Sequence, residues 1–337
     1  MNTNCAQKIE NLSPGENKVS FISRTMGGDL TLAGLLFVPE GFDPSKTYPT
    51  IVLTGAFNQV KEQTCAVYGR KFAKQGYIAL SFDHQGYGES EGQIRNYEYA
   101  PSKIEGIHDA VSFLSMQSFV DRERLFGVGI CAGGSHMAYA ALTDKRLKKI
   151  SLVAGMLVNT MVHFTANGKK KAEAMFEKAN VVRQEFYESG KAIPFDALGM
   201  DDGTAKNSKI EDQRQGYDYY MTARAGAETY PTYTHKTPEF FVEDNARHSA
   251  RAIARFLTTP TVTIYGSKAT TKVFSWLFHW AKKGPKKRVS IKGAGHVDLY
   301  DKDQYVDQVI DATIAYFKLS GRYVFCIVNG SSGPFPW

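Results

Sequence analysis

The segment Gly129-Ile130-Cys131-Ala132-Gly133-Gly134 sets a thiol among glycines, between an apolar run at 124–130 and a helix-like stretch of small residues at about 132–143. This is the local context of a nucleophile elbow, with cysteine where serine is more common. A tight strand-to-helix turn crowds the backbone; Gly129 and Gly133 relieve that crowding and let residue 131 point out at the top of a sheet. A helix N-terminus at that point favours a thiolate. The competing reading is a buried cysteine in an ordinary glycine-rich turn. A dinucleotide loop fits less well, because the GxGxxG spacing is missing. A second group, Gly293-Ala294-Gly295-His296-Val297-Asp298, falls between the last strand-like and last helix-like segments. A histidine there, after the nucleophile in chain order, can reach the elbow as a general base. A third, Gly55-Ala56-Phe57-Asn58, follows a buried-strand pattern. The amides of Phe57 and Ala132 could face a developing oxyanion, although Gly55–Asn58 alone reads equally as a simple turn.

The elements that must position these residues alternate between two periodicities. Residues 18–24 and 30–38 read as a strand pair joined through Gly27-Gly28-Asp29. Residues 49–54, 77–83, 124–130, 149–154, 261–265 and 287–292 read as strands, several of them uninterrupted apolar runs of the buried type. Residues 61–75, 103–117, 132–143, 271–283 and 303–318 read as helices. Repeated βα units of this kind predict an α/β fold, a mostly parallel central sheet with helices on both faces. The interval 156–258 breaks the rhythm. It has helix-like stretches at 169–189 and 240–257 and a polar, tyrosine-rich middle, and is expected to be an inserted helical cap over the ligand-binding edge.

With 337 residues, 43% hydrophobic and 22% charged, the chain can bury a substantial core, which excludes a disordered or fibrous class. The four cysteines, Cys5, Cys65, Cys131 and Cys326, include no CxxC pair, so neither a disulfide scaffold nor a thiolate zinc site is expected. No metal-ligand spacing stands out among the histidines, and no cofactor is expected. The formal charge of +7 concentrates at Lys169-Lys170-Lys171 and at Lys282-Lys283 with Lys286-Lys287-Arg288. Without interleaved aromatics or a nucleic-acid module, these clusters read as solvated surface and no nucleic-acid partner is expected. The N-terminus has no signal-peptide pattern and no window suits a membrane span, so a cytoplasmic location is expected.

The segments 57–64, 82–90, 129–134, 217–220, 266–269 and 296–301 (FNQVKEQT, FDHQGYGES, GICAGG, YDYY, GSKA and HVDLYD) together resemble the α/β-hydrolase superfamily. More narrowly, the chain is similar to dienelactone-hydrolase-related proteins, bacterial α/β hydrolases and fungal polyketide-cluster acyl hydrolases and transferases. The resemblance covers about residues 18–319. It implies a nucleophile at Cys131, a base at His296 and an oxyanion hole at Phe57 and Ala132. It also implies a small-molecule acyl substrate, free or carrier-bound. Similar proteins place an aspartate directly after the stretch matching Gly266–Ala269, where this chain has Thr270 and then Thr271. Three explanations stay open: Asp298 or another acid substitutes, a Cys–His pair works alone, or activity is reduced or lost. The expected reaction is cleavage of an ester, lactone or thioester through a cysteine acyl-enzyme. Acyl transfer to an alcohol, or a hydrolase-like binding protein, are the alternatives. The apolar tail at 320–337 is not part of the resemblance and leaves the oligomeric state open, a homodimer included.

Overall fold

The structure, a computed structural model, describes residues 8–9, 11–25, 28–166 and 168–319. Cys5, Gly27, Cys326 and the tail at 320–337 lie outside the described residues. In chain order the elements are β1 (Gly15–Ser23), β2 (Leu30–Val38), β3 (Tyr48–Thr54), α1 (Thr64–Lys74), β4 (Ile78–Phe82), α2 (Ala100–Ser115), β5 (Val120–Ile130), α3 (Ala132–Thr143) and β6 (Lys149–Val153). Next come α4 (Asn159–Met161), a π-helical turn (Val162–Ala166), α5 (Lys169–Ser189), β7 (Pro194–Asp196), α6 (Glu211–Met221), β8 (Lys236–Pro238), α7 (Phe241–Arg247) and α8 (Ala250–Ile253). The last are β9 (Thr261–Gly266), α9 (Lys272–Ala281), β10 (Lys286–Ile291), α10 (Asp298–Asp301) and α11 (Asp303–Lys318).

Eight strands form one sheet in the order β1-β2-β4-β3-β5-β6-β9-β10. The β1–β2 and β2–β4 pairings are antiparallel, and every pairing from β4 through β10 is parallel. This is the α/β fold expected from the alternating periodicities. Successive residues of the central strands point to opposite faces, which divides the core in two. Ile51, Leu53 and Ile264 pack with Tyr68 and Phe72 of α1 and Val306, Ile310 and Phe317 of α11. Val52, Leu80 and Leu152 pack with Ile107 and Leu114 of α2 and Met137 of α3 on the other face. Because both faces are covered, the strands carry uninterrupted apolar runs rather than alternating ones.

Two boundaries differ from the pattern reading for identifiable reasons. The helix expected at 61–75 begins at Thr64, because the preceding residues are drawn into other contacts. The Lys61 amide donates to Asp83 Oδ1 at 2.7 Å and the Val60 amide to Gln63 Oε1 at 2.9 Å. The single helix expected at 240–257 is broken at His248 and Ser249, where the Ala250 amide turns to Ser135 Oγ at 3.1 Å and the Arg251 amide to Leu157 O at 2.9 Å. The helix α6 carries no clear apolar stripe and is not among the predicted elements.

One of the basic clusters is corrected. Lys169, Lys170 and Lys171 are exposed, but Lys282 is fully buried. Its ammonium donates to the carbonyls of Leu257 and Thr259, at 2.5 and 3.0 Å. Burial, reinforced by Lys286 and Lys145, pushes it down to about 7. An apolar stem with a terminal donor suits a buried connection whose carbonyls need partners, and composition does not show this. No helix among the described residues is long and apolar enough to cross a membrane.

A close backbone approach lies where α3 begins. A Cβ on Gly133 would stand 2.4 Å from Thr54 O and 2.5 Å from Gly55 O, both fixed backbone atoms. Gly133→Ala is therefore expected to cost at least ~2 kcal/mol of folding stability in a denaturant titration. Gly134→Ala, whose new Cβ would come no closer than 3.2 Å to Gly155 Cα, should cost clearly less.

Candidate active site

Cys131 sits between β5 and α3 with φ 54° and ψ −115°, in the left-handed half of backbone space that a residue with a Cβ seldom adopts. Three contacts hold it there. Its amide donates to Val153 O at 2.9 Å, and its carbonyl accepts from Gly134 N at 3.0 Å and Met156 N at 2.9 Å. A Cβ on Gly129 would strike Gly133 O at 2.3 Å, so both flanking glycines answer steric demands. The thiol is buried, and His296, Tyr300 and the Ala132 amide lie close enough to act on its charge.

His296, in the loop between β10 and α10, is likewise buried. Its Nε2 lies 3.0 Å from Tyr300 Oη, one helical turn further on, and its Nδ1 lies 2.6 Å from Thr271 Oγ1. Burial opposes charge on both partners, yet their mutual attraction outweighs it. The thiol is held below its ordinary value by the His296 imidazolium, with help from Tyr300 and the Ala132 amide. The imidazole is held above its own by Cys131 and, beyond it, by Asp212. The two titrate as a pair, each shifting the other toward thiolate and imidazolium. In that state Nδ1–H donates to Thr271, and Nε2–H can donate to the Tyr300 oxygen while the phenol proton faces sulfur.

Asp298 does not reach the imidazole. Its Oδ2 accepts the Gly295 amide at 2.7 Å and its Oδ1 pairs with Lys302 Nζ at 2.6 Å, so it pins the histidine loop. Thr270 does not touch the ring either. Its amide and hydroxyl both donate to Asp212 Oδ2, at 2.7 and 2.5 Å, while Asp212 Oδ1 accepts the His296 amide at 3.0 Å. Asp212 stands in the first turn of α6, 84 residues before His296. Neither it nor Thr271 carries a local sequence signal. Tyr300 could have been found, since a residue four positions after His296 on a helical start faces the same way.

Phe57 lies beside the elbow's neighbouring strand end, half-buried, with its ring edge-on to Phe241 of α7. Its amide has no acceptor among the described residues. The next residue, Asn58, takes a positive φ of 58° and is tied down on every side. Its side-chain amide donates to the carbonyls of Thr234 and Lys236, at 3.1 and 2.6 Å, and its oxygen accepts Tyr87 Oη at 3.1 Å. The Asn58 backbone amide donates to Glu98 Oε2 at 3.0 Å. That carboxylate also accepts Tyr87 Oη at 3.0 Å and Lys103 Nζ at 2.7 Å. Burial alone would raise Glu98; the Lys103 ammonium brings it below its usual range. Neighbouring His136 is pushed down to about 4 by burial, so it stands neutral at physiological pH.

Four buried tyrosines pack together beside the site, with Tyr300 and Tyr220 acting on the thiol and Tyr219 and Tyr233 packed against them. Tyr219 and Tyr220 come from the end of α6, Tyr233 from the loop after it, and Tyr300 from α10. Tyr219 and Tyr300 pack edge to face at 5.2 Å, and Tyr220 stacks on Tyr233 at 5.8 Å. Far from a metal centre in composition, this cluster offers phenols and apolar ring faces. Asp196, Asp201 and His235 do bring ligand atoms within 4.8 Å of one another, but there Asp201 already pairs with Lys236 at 2.7 Å.

No protein-family profile matches the chain. It is 32% identical over 307 residues to the uncharacterized protein YcjY of Escherichia coli K12, covering 90% of this chain and 98% of that protein. The crystal structure of the hypothetical protein PA2218 from Pseudomonas aeruginosa superposes with a TM-score of 0.77 at 27% identity, over 94% of this chain and 98% of that one. The α/β hydrolase GrgF from a Penicillium species superposes with a TM-score of 0.73 at 21% identity, over 90% and 98% of the two chains. In sequence, 39% of this chain and 44% of the polyketide transferase grgF align at 30% identity. These matches do not single out the dienelactone-hydrolase-related subgroup. What they share with this chain, over nearly its whole described length, is a sheet and its connections, and the chain belongs to the α/β-hydrolase superfamily.

Proposed function

We propose that this protein is an acyl-transfer enzyme that loads an acyl group from an ester or thioester onto Cys131 and passes it to a hydroxyl acceptor. The observation that carries this reading is the buried Cys131–His296 pair at a strained strand-to-helix turn, beside a cluster of tyrosines. Hydrolysis uses the same residues, with water as the acceptor. The enclosed aromatic surroundings, and the partial likeness to a polyketide transferase, favour the alcohol.

The chemistry runs in two halves. The Cys131 thiolate adds to the carbonyl carbon, and the oxyanion that forms accepts the amides of Ala132 and Phe57. Collapse breaks the bond to the leaving thiol or alcohol, which takes the Nε2 proton of His296. An acceptor hydroxyl then attacks the acyl-cysteine carbonyl while its proton returns to Nε2, and Cys131 leaves as thiolate. The tyrosine faces suit a mostly apolar acyl group, because aromatic rings contribute large contact area at low entropic cost.

Incubating the protein with a short acyl thioester should add one acyl mass to the tryptic peptide bearing Cys131. Cys131→Ala should lose the label and at least about 10³-fold in turnover. An unlabelled Cys131, together with undiminished turnover in Cys131→Ala, defeats the proposal. Adding a primary alcohol should divert product from free acid to ester. If only acid forms at any alcohol concentration, the enzyme is a hydrolase.

The pH profile has a defined sign. Acylation should rise as pH climbs through the depressed thiol value, below the ordinary thiol range. It should fall again above the raised imidazole value, where His296 no longer has a proton for the leaving group. Tyr300→Phe removes a hydrogen bond to the thiolate and should slow acylation about tenfold, with its rising limb displaced to higher pH.

A further inference from the structure

The imidazolium of this site has no carboxylate on Nδ1; the contact there is the Thr271 hydroxyl, at 2.6 Å. A hydroxyl can fix the ring's tautomer and orientation but cannot neutralise a positive charge. The carboxylate nearest in the hydrogen-bond network arrives from a different part of the chain. Asp212 bridges the two loops that meet at the ring: Oδ1 takes the His296 amide, and Oδ2 takes both donors of Thr270. It thus clamps the loop after β9 to the histidine loop and sets its charge against the imidazolium.

The same helix contributes more. Asp212, Gln215 and Tyr219 recur at helical spacing, so one stripe of α6 faces the site. A Cβ on Gly295 would come within 2.8 Å of Gln215 Oε1, which shows how closely α6 lies on the histidine loop. At the far end of the helix, Tyr219 and Tyr220 reach Tyr300.

We propose that Asp212 is the positioning acid of this site, taking over from α6 the electrostatic role of the aspartate absent at residue 270, so that seating of α6 and ionisation of Cys131 are coupled. The inference rests on the Cys131–His296 reading. It follows that the thiolate is favoured only when α6, with its carboxylate at one end and its tyrosines at the other, is docked on the histidine loop. The other ionisable groups facing His296 are Cys131, Tyr300 and, through Tyr300, Tyr220. Asp298 is occupied by Gly295 and Lys302.

The test is the pH dependence of Cys131 alkylation by iodoacetamide in the full chain, read on the Cys131 peptide by mass spectrometry; it requires no substrate. His296→Ala should move the midpoint upward and serves as the control for the pair itself. Asp212→Asn, which keeps an acceptor but loses the charge, should raise the midpoint by about one pH unit, roughly a tenfold slower alkylation below it. Asp212→Asn combined with Thr271→Asp, which puts a carboxylate directly beside Nδ1, should bring it back. Thr271→Val, which leaves α6 and its contacts to residue 270 in place, should also raise the midpoint, and it decides the matter if Asp212→Asn does not fold. An upward shift in His296→Ala with none in Asp212→Asn, or with none in Thr271→Val when that variant must decide, overturns the inference and leaves the Cys–His pair standing. No shift in His296→Ala overturns the pair, and the inference with it. A shift in Asp212→Asn that the Thr271→Asp substitution fails to reverse assigns Asp212 a merely structural role and overturns the inference as well.

Discussion

The site depends first on a backbone collision avoided. For Cys131 to project from the sheet, β5 must turn into α3 within one residue, and that residue must accept φ 54°. The turn is possible only because the neighbouring positions have no side chain: Gly133 lies against the carbonyls of Thr54 and Gly55, and Gly129 against Gly133 itself. The strained residue is overdetermined by hydrogen bonds from β6 and from Met156, which hold a conformation that costs ~1–3 kcal/mol if left to itself. The same close approach brings the end of β3, and with it the Phe57 amide, next to the start of α3. The Cys131 thiol and the amides of Ala132 and Phe57 are thereby positioned by one steric arrangement.

A second layer keeps that arrangement rigid. Asn58, beside the Phe57 amide, is bonded to Glu98, Tyr87 and two carbonyls near β8. Glu98 is fully buried, and its charge is tolerable because Lys103, Tyr87 and the Asn58 amide surround it. A buried carboxylate whose Oε2 receives all three donors has few alternative geometries, so the loop at Phe57 and Asn58 is held by polar contacts as well as by apolar packing. The segment between β6 and β9 takes part directly, through the carbonyls of Thr234 and Lys236. It is therefore tied to the Phe57–Asn58 loop at one edge and to the histidine loop, through Asp212, at another.

The thiol and imidazole answer to electrostatics more than to packing. Burial penalises charge on each, and the opposite charge of its partner does most to reverse the balance. Tyr300 joins the two through one phenol, and Thr271 holds the ring from behind. An arrangement with hydroxyl contacts on the imidazole, and a carboxylate one residue removed, supplies less charge than a direct aspartate. It suits a cysteine, whose thiolate forms more readily than a serine alkoxide and needs less help.

The sheet, its order of strands and helices, the elbow at Cys131 and the histidine loop at 296 were all legible in the chain, because each is written in local spacing. Apolar runs mark strands buried on two faces, 3.6-residue stripes mark helices, and paired glycines mark a turn with no room for Cβ. The amide positions at Phe57 and Ala132 follow from the same strand ends. What surrounds the imidazole was not legible. Asp298, two residues from His296, is near in sequence but turned to Gly295 and Lys302, whereas Asp212 is 84 residues away and in the network. Lys282 reads as surface charge and is buried, because the carbonyls that receive it belong to a turn more than twenty residues earlier. Backbone geometry is imposed by neighbours along the chain and so is carried by the sequence itself. The partners of a charge are chosen by which segments the fold brings together, and for Asp212 and the tyrosines beside His296 only the tertiary structure made that choice.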